Sequence, residues 1–178
     1  MISIADQEIL LEIARAAVFA TVNRTTHRGP TPAGVSATPA AAFVSLHMRG
    51  QLRGCVGHLD DDVPLVETVA ECARLACTVD PRFPAVTASE LDLLDIEISV
   101  LGPFERVVSV TEIVVGRHGL MIERSERRGL LLPQVAIEYR WTAETFVQHT
   151  CRKAGLPHDS WPGDATLWRF HADVFGRR

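Results

Sequence analysis

The chain has 178 residues, a net charge of −4 and 47% apolar residues. This length suits one domain with a substantial hydrophobic core, and the composition is that of a folded protein. An acidic chain with one tyrosine lacks the basic and aromatic surface of nucleic-acid-binding proteins. No run approaches the ~18 consecutive apolar residues of a membrane span. The sequence therefore argues against nucleic-acid and membrane partners.

The four cysteines are Cys55, Cys72, Cys77 and Cys151, and they contain no CxxC pair. Their density is far below that of small secreted scaffolds, which rely on disulfides. The N-terminal segment carries acidic residues where a signal peptide would be apolar. Together these features predict reduced thiols in a cytoplasmic protein.

The first predicted element is an amphipathic helix over residues 4 to 22, because its apolar residues recur at helical spacing. A loop rich in proline and glycine follows over residues 24 to 40. AAFVSLHM (41 to 48) and LRGCVG (52 to 57) then predict a β-hairpin with a short turn between its strands.

The return strand of this hairpin holds an arginine and a cysteine two residues apart. A two-residue turn would place Leu46 opposite Arg53 and Val44 opposite Cys55. Side chains alternate along a strand, so Arg53 and Cys55 would share one face. A guanidinium beside a thiol favours the thiolate, which is the nucleophilic form. The spacing therefore predicts that Arg53 lies beside the Cys55 thiol.

Gly54 and Gly57 lie on either side of Cys55 in the same strand. Glycine weakens a strand, so two glycines this close together indicate a bulge, a bend, or the close approach of another backbone or of a ligand. The alternative interpretation is that Cys55 only packs in the core, which is a common fate of a free cysteine.

The middle of the chain predicts two helices and a strand. An amphipathic helix ends at DPRFP (80 to 84), and its apolar face includes two of the cysteines. TASELDLL (87 to 94) carries a capping box, which predicts a short helix. LDIEISVL (94 to 101) alternates like a half-buried antiparallel strand, with Glu97 on the solvent face. Glu97 could serve as an acid or base, but a carboxylate on a solvent-facing strand is more often an inert surface group.

The last third of the chain predicts short strands and one more helix. The predicted strands are ERVVSV (105 to 110), HGLMIE (118 to 123), RRGLLLPQ (127 to 134) and the alternating TLWRFHADVF (166 to 175). WTAETFVQHTCRKAG predicts a helix capped by Thr142, with Gly155 at its end. Hairpins mixed with helices, without a repeated βαβ unit, predict an α+β fold.

Five segments carry a family resemblance: LRGCVG (52 to 57), DPRF (80 to 83), ISVL (98 to 101), GRHGL (116 to 120) and GLLLPQVA (129 to 136). Their order and spacing resemble those of the AMMECR domain family over nearly the whole chain. The resemblance implies one AMMECR-type α+β domain over residues 1 to 178. In such a domain an antiparallel sheet is flanked by helices, and a cleft separates it from a smaller β-containing lobe.

The resemblance also marks site residues. They are Arg53, Gly54, Cys55 and Gly57 in the first motif, Asp80, Arg82 and Phe83 in the second, His118 and Gly119 in the third, and Pro133, Gln134 and Glu138 in or just after the fourth. One functional hypothesis is an enzyme with Cys55 as the thiolate nucleophile. In that hypothesis Arg53 lowers the thiol pKa or holds an anionic substrate, and His118 or Glu138 is the general base.

The second hypothesis is a non-catalytic binding or scaffold module. In it Arg53, Arg82 and Gln134 line a cleft that grips an anionic ligand or a partner peptide, and Gly54 and Gly57 allow close approach. Cys55 would then merely pack. The two hypotheses differ in the chemistry of the thiol, because only the enzyme requires a Cys55 that reacts near neutral pH.

The resemblance implies two partners, a Memo-like protein of dioxygenase fold and a radical SAM protein, without naming a reaction. The histidines show no HxxxH or HxH spacing and the cysteines no ligand pair, so the sequence predicts no metal site. It indicates no particular cofactor or oligomeric state.

Overall fold

The computed structural model describes residues 2–26, 38–59 and 62–176. Most of the predicted loop over residues 24 to 40 therefore lies outside the described residues. The elements in chain order are α1 (Ile4–Asn23), β1 (Ala42–Met48), β2 (Gln51–His58), α2 (Leu65–Ala76), a 3₁₀-helix (Ala88–Leu93), β3 (Leu94–Leu101), β4 (Glu105–Arg106), a second 3₁₀-helix (Val110–Glu112), β5 (Gly119–Arg124), β6 (Arg127–Leu131), α3 (Pro133–Glu138), α4 (Ala143–Lys153), β7 (Thr166–Phe170) and β8 (Ala172–Gly176).

The chain divides into two compact units. The first is Met1–Val100 with Asp173–Arg178, and the second is Leu101–Ala172. Each contains helices and an antiparallel sheet, so the predicted α+β class is confirmed. Among the described residues, no helix is long and apolar enough to cross a membrane.

The sheet of the first unit has the strand order β2-β1-β3-β8, and β1 pairs antiparallel with both of its neighbours. One face of this sheet, with Val44, Leu46 and Ile98 fully buried, packs in a hydrophobic core with residues of α1 and α2. Cys72 and Cys77 belong to the same core, as the helical pattern predicts. Burying this face against two helices is what holds β1 and β2 in place.

The predicted hairpin is present, but the predicted register is wrong. Cys55 pairs with Ser45 rather than with Val44, and Leu46 does not pair with Arg53. The ladder shifts by one residue because Arg53 is the extra residue of a β-bulge on β2. The glycine content of this strand indicates such a bulge, but its position cannot be read from turn length alone.

The predicted solvent face of β3 is also wrong. It pairs antiparallel with β1, but its Glu97 side is not the solvent face, because Glu97 is only 6% exposed and Ser99 1% exposed. Alternation in a sequence shows which side chains share a face of a strand. It does not show whether that face is covered.

The second unit is built on a sheet with the strand order β4-β7-β5-β6. Its core contains residues of α4, which starts as predicted with Thr142 capping the helix through its side chain. The segment predicted as one strand over residues 127 to 134 instead ends at Leu131, and Pro133 begins α3, where its fixed φ favours a helix start.

The predicted C-terminal strand is also divided. Residues 166 to 175 form β7 and β8, separated at His171, and the two strands belong to different sheets. Alternation along a segment does not show where one strand ends and the next begins.

Candidate functional site

Cys55 lies on β2, on the face that turns away from α1 and α2. Its partner across the strand pair is Ser45, whose hydroxyl donates to the Cys55 sulfur at 3.3 Å. The backbone N–H of Cys55 donates to Oδ2 of Asp80 at 2.9 Å. Cys55 is partly exposed, whereas Cys72, Cys77 and Cys151 are buried. It is therefore the cysteine that a solute can reach.

Asp80 and Arg82 lie in the DPRF turn that follows α2. The turn is closed by the Phe83 N–H, which donates to the Asp80 carbonyl at 3.1 Å. Arg82 donates through Nε and Nη2 to the two Asp80 carboxylate oxygens, at 2.9 and 2.7 Å. The Asp80 side chain is 3% exposed and that of Arg82 52% exposed. A buried carboxylate thus fixes an arginine whose outer side faces solvent.

The same arginine lies beside Cys55, because Oδ2 of Asp80 accepts hydrogen bonds from both the Cys55 N–H and Nη2 of Arg82, at 2.9 and 2.7 Å. The ion pair with Asp80 is the main cause that raises the pKa of Arg82, and Cys55 contributes in the same direction. The Arg82 hydrogen bonds lower the pKa of Asp80 to about 2, with the Cys55 N–H helping. Asp80 is therefore ionised at neutral pH. Its hydrogen bonds with the Cys55 N–H and with Arg82 connect the LRGC strand to the DPRF turn.

Arg53 binds partners that the sequence does not predict, and its predicted roles at the thiol or an anionic substrate stay predictions. Its Nε donates to Oε1 of Glu90 at 2.8 Å, its Nη2 to Oε2 at 3.1 Å, and its Nη1 to the carbonyl of Pro84 at 2.8 Å. Glu90 also accepts from the Thr87 N–H at 2.8 Å in the predicted capping box. Arg53, 9% exposed, thus braces β2 against the short helix. The arginine that shares Asp80 with the Cys55 N–H is Arg82.

Contacts within the chain explain why glycine is needed at positions 54 and 57. A Cβ on Gly54 would overlap the backbone carbonyl of Ala76 at the end of α2, and one on Gly57 would overlap the ring of Phe43. The predicted close approach of another backbone is thus confirmed at Gly54. Neither glycine needs a ligand to account for it, and their predicted ligand-binding roles stay predictions.

His118 belongs to the second unit and is buried. Its Nδ1 accepts the backbone N–H of Val114 at 3.1 Å, and its ring makes an edge contact with His171, with centroids 5.0 Å apart. Burial, followed by the charge of Arg169, lowers the pKa of His118. The ring is therefore neutral, with its proton on Nε2. Its Nδ1 is engaged in holding the backbone, and the general-base role stays a prediction.

Gln134 and Glu138 lie on α3 in the second unit, and Glu138 is exposed at the end of that helix. Their predicted roles also stay predictions. Within the first unit the structure brings together Cys55, Asp80 and Arg82. No three His, Cys, Asp or Glu side chains in the described ranges form a group that could hold a metal ion.

The sequence does not mark Ser45 as a site residue, and it predicts Glu97 on the solvent face. Ser45 is 7% exposed and contacts the thiol, and Glu97 is the Cα partner of Ser45 on the other side of β1. The three side chains of Cys55, Ser45 and Glu97 therefore form a row across three adjacent strands. The correct hairpin register would have revealed the pairing of Ser45 with Cys55.

The comparisons with known proteins agree on one family. The AMMECR1 family model matches residues 11–175. A protein of Methanothermobacter thermautotrophicus is 48% identical over 140 residues, covering 75% of this chain and 73% of that protein. A protein of Thermococcus onnurineus is 41% identical, covering 94% and 88% of the two chains. The crystal structure of the uncharacterized protein PH0010 from Pyrococcus horikoshii has a TM-score of 0.89 at 35% identity, covering 97% and 91%.

Proposed function

The chain belongs to the AMMECR1 family, and from the geometry around Cys55 we propose that it is a thiol-dependent enzyme with Cys55 as its nucleophile. The observation that carries this proposal is that one carboxylate oxygen of Asp80 accepts from both the Cys55 N–H and the Arg82 guanidinium, which keeps the half-exposed guanidinium beside Cys55. A cation at that position stabilises a thiolate, which is the reactive form of cysteine.

The geometry supports thiolate formation without a neighbouring general base. Ser45 donates to the Cys55 sulfur, and Asp80 holds the Cys55 backbone and the Arg82 guanidinium together, which keeps a cation beside the thiol. A hydrogen-bond donor and a neighbouring cation both favour the anionic form of the sulfur. The proton can leave to solvent before a substrate binds. This differs from the expected pairing of Cys55 with His118 or Glu138.

Arg82 also indicates the class of substrate. Its Nε and Nη2 bind Asp80, and the rest of its half-exposed guanidinium remains available to a second anion. The substrate that fits is an electrophile with an anionic group near the reacting atom. The thiolate would form a bond to the electrophilic atom while the leaving group departs with its electron pair.

Two alkylating reagents of similar size test this proposal. Iodoacetate is anionic and iodoacetamide is neutral, and both react with the same thiolate, so the ratio of their rates does not depend on the thiolate fraction. We expect the iodoacetate rate divided by the iodoacetamide rate to be higher at Cys55 of the folded protein than in the unfolded chain. Arg82→Gln should abolish this difference. Arg152→Gln, at an exposed position on α4, is the control. An unchanged ratio in Arg82→Gln would count against the proposal.

The same arginine also supports a second candidate, a non-catalytic module that binds an anionic ligand or a partner peptide. The observation in its favour is that Asp80 holds Arg82 in place with half of its side chain exposed, whether or not the thiol reacts. Cys55→Ser separates the two candidates. A binding module keeps its affinity for an anion in that variant, whereas an enzyme loses its activity.

We also propose that the chain works with a Memo-like protein and a radical SAM protein in the cytoplasm. The support for the partners is family membership, and the support for the compartment is that none of the four cysteines is in a disulfide bond. Co-expression of the three proteins with a tag on this chain tests the partnership. Absence of both proteins from the purified material would contradict it.

A further inference from the structure

We propose that Ser45 is a positioning residue of this site, whose hydroxyl orients the Cys55 sulfur and favours its ionised form. The inference rests on the proposed function of Cys55 and adds a residue that neither the motifs nor the family comparison marks. Ser45 acts through Cys55 and needs no contact with the substrate.

The first support is geometric. Ser45 and Cys55 are direct partners across β1 and β2, where side chains on one face lie about 5 Å apart at their Cβ atoms. The hydroxyl donates to the sulfur at 3.3 Å. Ser45 is only 7% exposed, so its hydroxyl cannot turn to bulk solvent. A buried hydroxyl keeps a protein partner because losing one is costly.

The second support is the neighbour on the other side. Ser45 pairs with Glu97 on β3, and Glu97 is buried as well. Ser45 is therefore flanked in the strand ladder by Cys55 on one side and Glu97 on the other. Its hydroxyl has one proton to donate, and that proton goes to the Cys55 sulfur.

Other charged groups also act on the thiol. On this side of the sheet, the described titratable and charged groups of the first unit are Asp80 and Arg82 in the turn, His47 on β1, and Asp95 and Glu97 on β3. Arg82 supplies a charge near the sulfur, and Ser45 supplies a neutral donor from the neighbouring strand. Removing the Ser45 hydroxyl leaves the charges in place. The effect of the hydroxyl on the ionisation of Cys55 can therefore be measured separately from the effect of the charges.

The test compares Ser45→Ala with Ser45→Thr in the full chain. The readouts are the midpoint of Cys55 alkylation against pH and the ultraviolet absorbance of the thiolate. We expect Ser45→Ala to raise both midpoints by about one pH unit, since a hydrogen bond to a charged group contributes about 1.5 kcal/mol. Threonine keeps the hydroxyl and suits a strand, so Ser45→Thr should retain the wild-type midpoint.

A merely structural role for Ser45 would lower the melting temperature of Ser45→Ala and leave the midpoints unchanged, which would overturn the inference. If Ser45→Thr does not fold, the alanine variant and its absorbance decide alone. A wild-type Cys55 that does not react at all would instead overturn the proposed function. A reactive wild-type Cys55 with an unchanged Ser45→Ala midpoint would overturn only the role of Ser45.

Discussion

Asp80 accepts the backbone N–H of Cys55 at 2.9 Å, so a carboxylate in the DPRF turn fixes the position of the thiol through the main chain. The same carboxylate receives two hydrogen bonds from Arg82. Moving Asp80 would therefore move both the cysteine and the arginine that acts on it. This explains in physical terms why two motifs 25 residues apart form one site.

Asp80 should make stability depend on acid. Its pKa is about 2 in the folded chain, below the ordinary 3.8, mainly because of Arg82. A carboxyl with a depressed folded-state pKa stabilises the protein above its unfolded pKa, and this stabilisation is lost as pH falls from about 4 to about 2. We expect Asp80→Asn to cost about 2 kcal/mol of unfolding free energy at neutral pH. Denaturant unfolding at several pH values measures the difference.

The difference between wild type and Asp80→Asn should shrink as the pH falls from about 4 toward about 2, where the wild-type carboxyl also becomes protonated. Asp62→Asn, at an exposed residue, serves as the control variant. A constant difference across this pH range would show that the ion pair is not its cause.

The Arg53–Glu90 pair should contribute more to stability than a surface pair. Arg53 is buried and makes hydrogen bonds to Glu90 and to the Pro84 carbonyl. We expect Arg53→Met to lower the unfolding free energy by about 2 to 4 kcal/mol, because buried acceptors lose their donors. Arg74→Met is the matched control and should cost less than about 1 kcal/mol, since the Arg74–Glu71 pair is exposed on both sides. Equal losses would refute the bracing role of Arg53.

Gly54 should tolerate no side chain. A Cβ there overlaps the Ala76 carbonyl, and backbone cannot move aside as a flexible side chain can. We expect Gly54→Ala to cost about 2 to 3 kcal/mol by overpacking. Gly50→Ala meets open space and should cost only about 1 kcal/mol, because of its positive φ of 76°. Thermal unfolding of both variants tests whether Gly54→Ala loses more stability than Gly50→Ala. A Gly54→Ala protein as stable as wild type would contradict the close packing of Gly54 against Ala76.

The sequence predicts the elements of this fold better than it predicts the site. Periodicity identifies α1, α2, α4 and the hairpin because each buries a regular apolar face. The bulge at Arg53 follows from contacts with Glu90 and Pro84, which are distant in sequence. One shifted residue gives Cys55 the partner Ser45, and the DPRF turn, which is distant in sequence, places Arg82 beside Cys55 through Asp80. Such a shift cannot be read from alternation, which is the same in both registers.

The pH dependence of iodoacetamide alkylation at each cysteine, followed by peptide mass spectrometry on the native protein, tests the thiolate at Cys55 most directly. Cys72, whose pKa burial raises to about 12, is the internal standard for an inert thiol. We predict that Cys55 alone reacts near neutral pH, with a midpoint below the ~8.5 of an unperturbed thiol, and that Arg82→Gln raises this midpoint. A Cys55 as inert as Cys72, or one whose midpoint Arg82→Gln leaves unchanged, would contradict a thiolate held by Arg82.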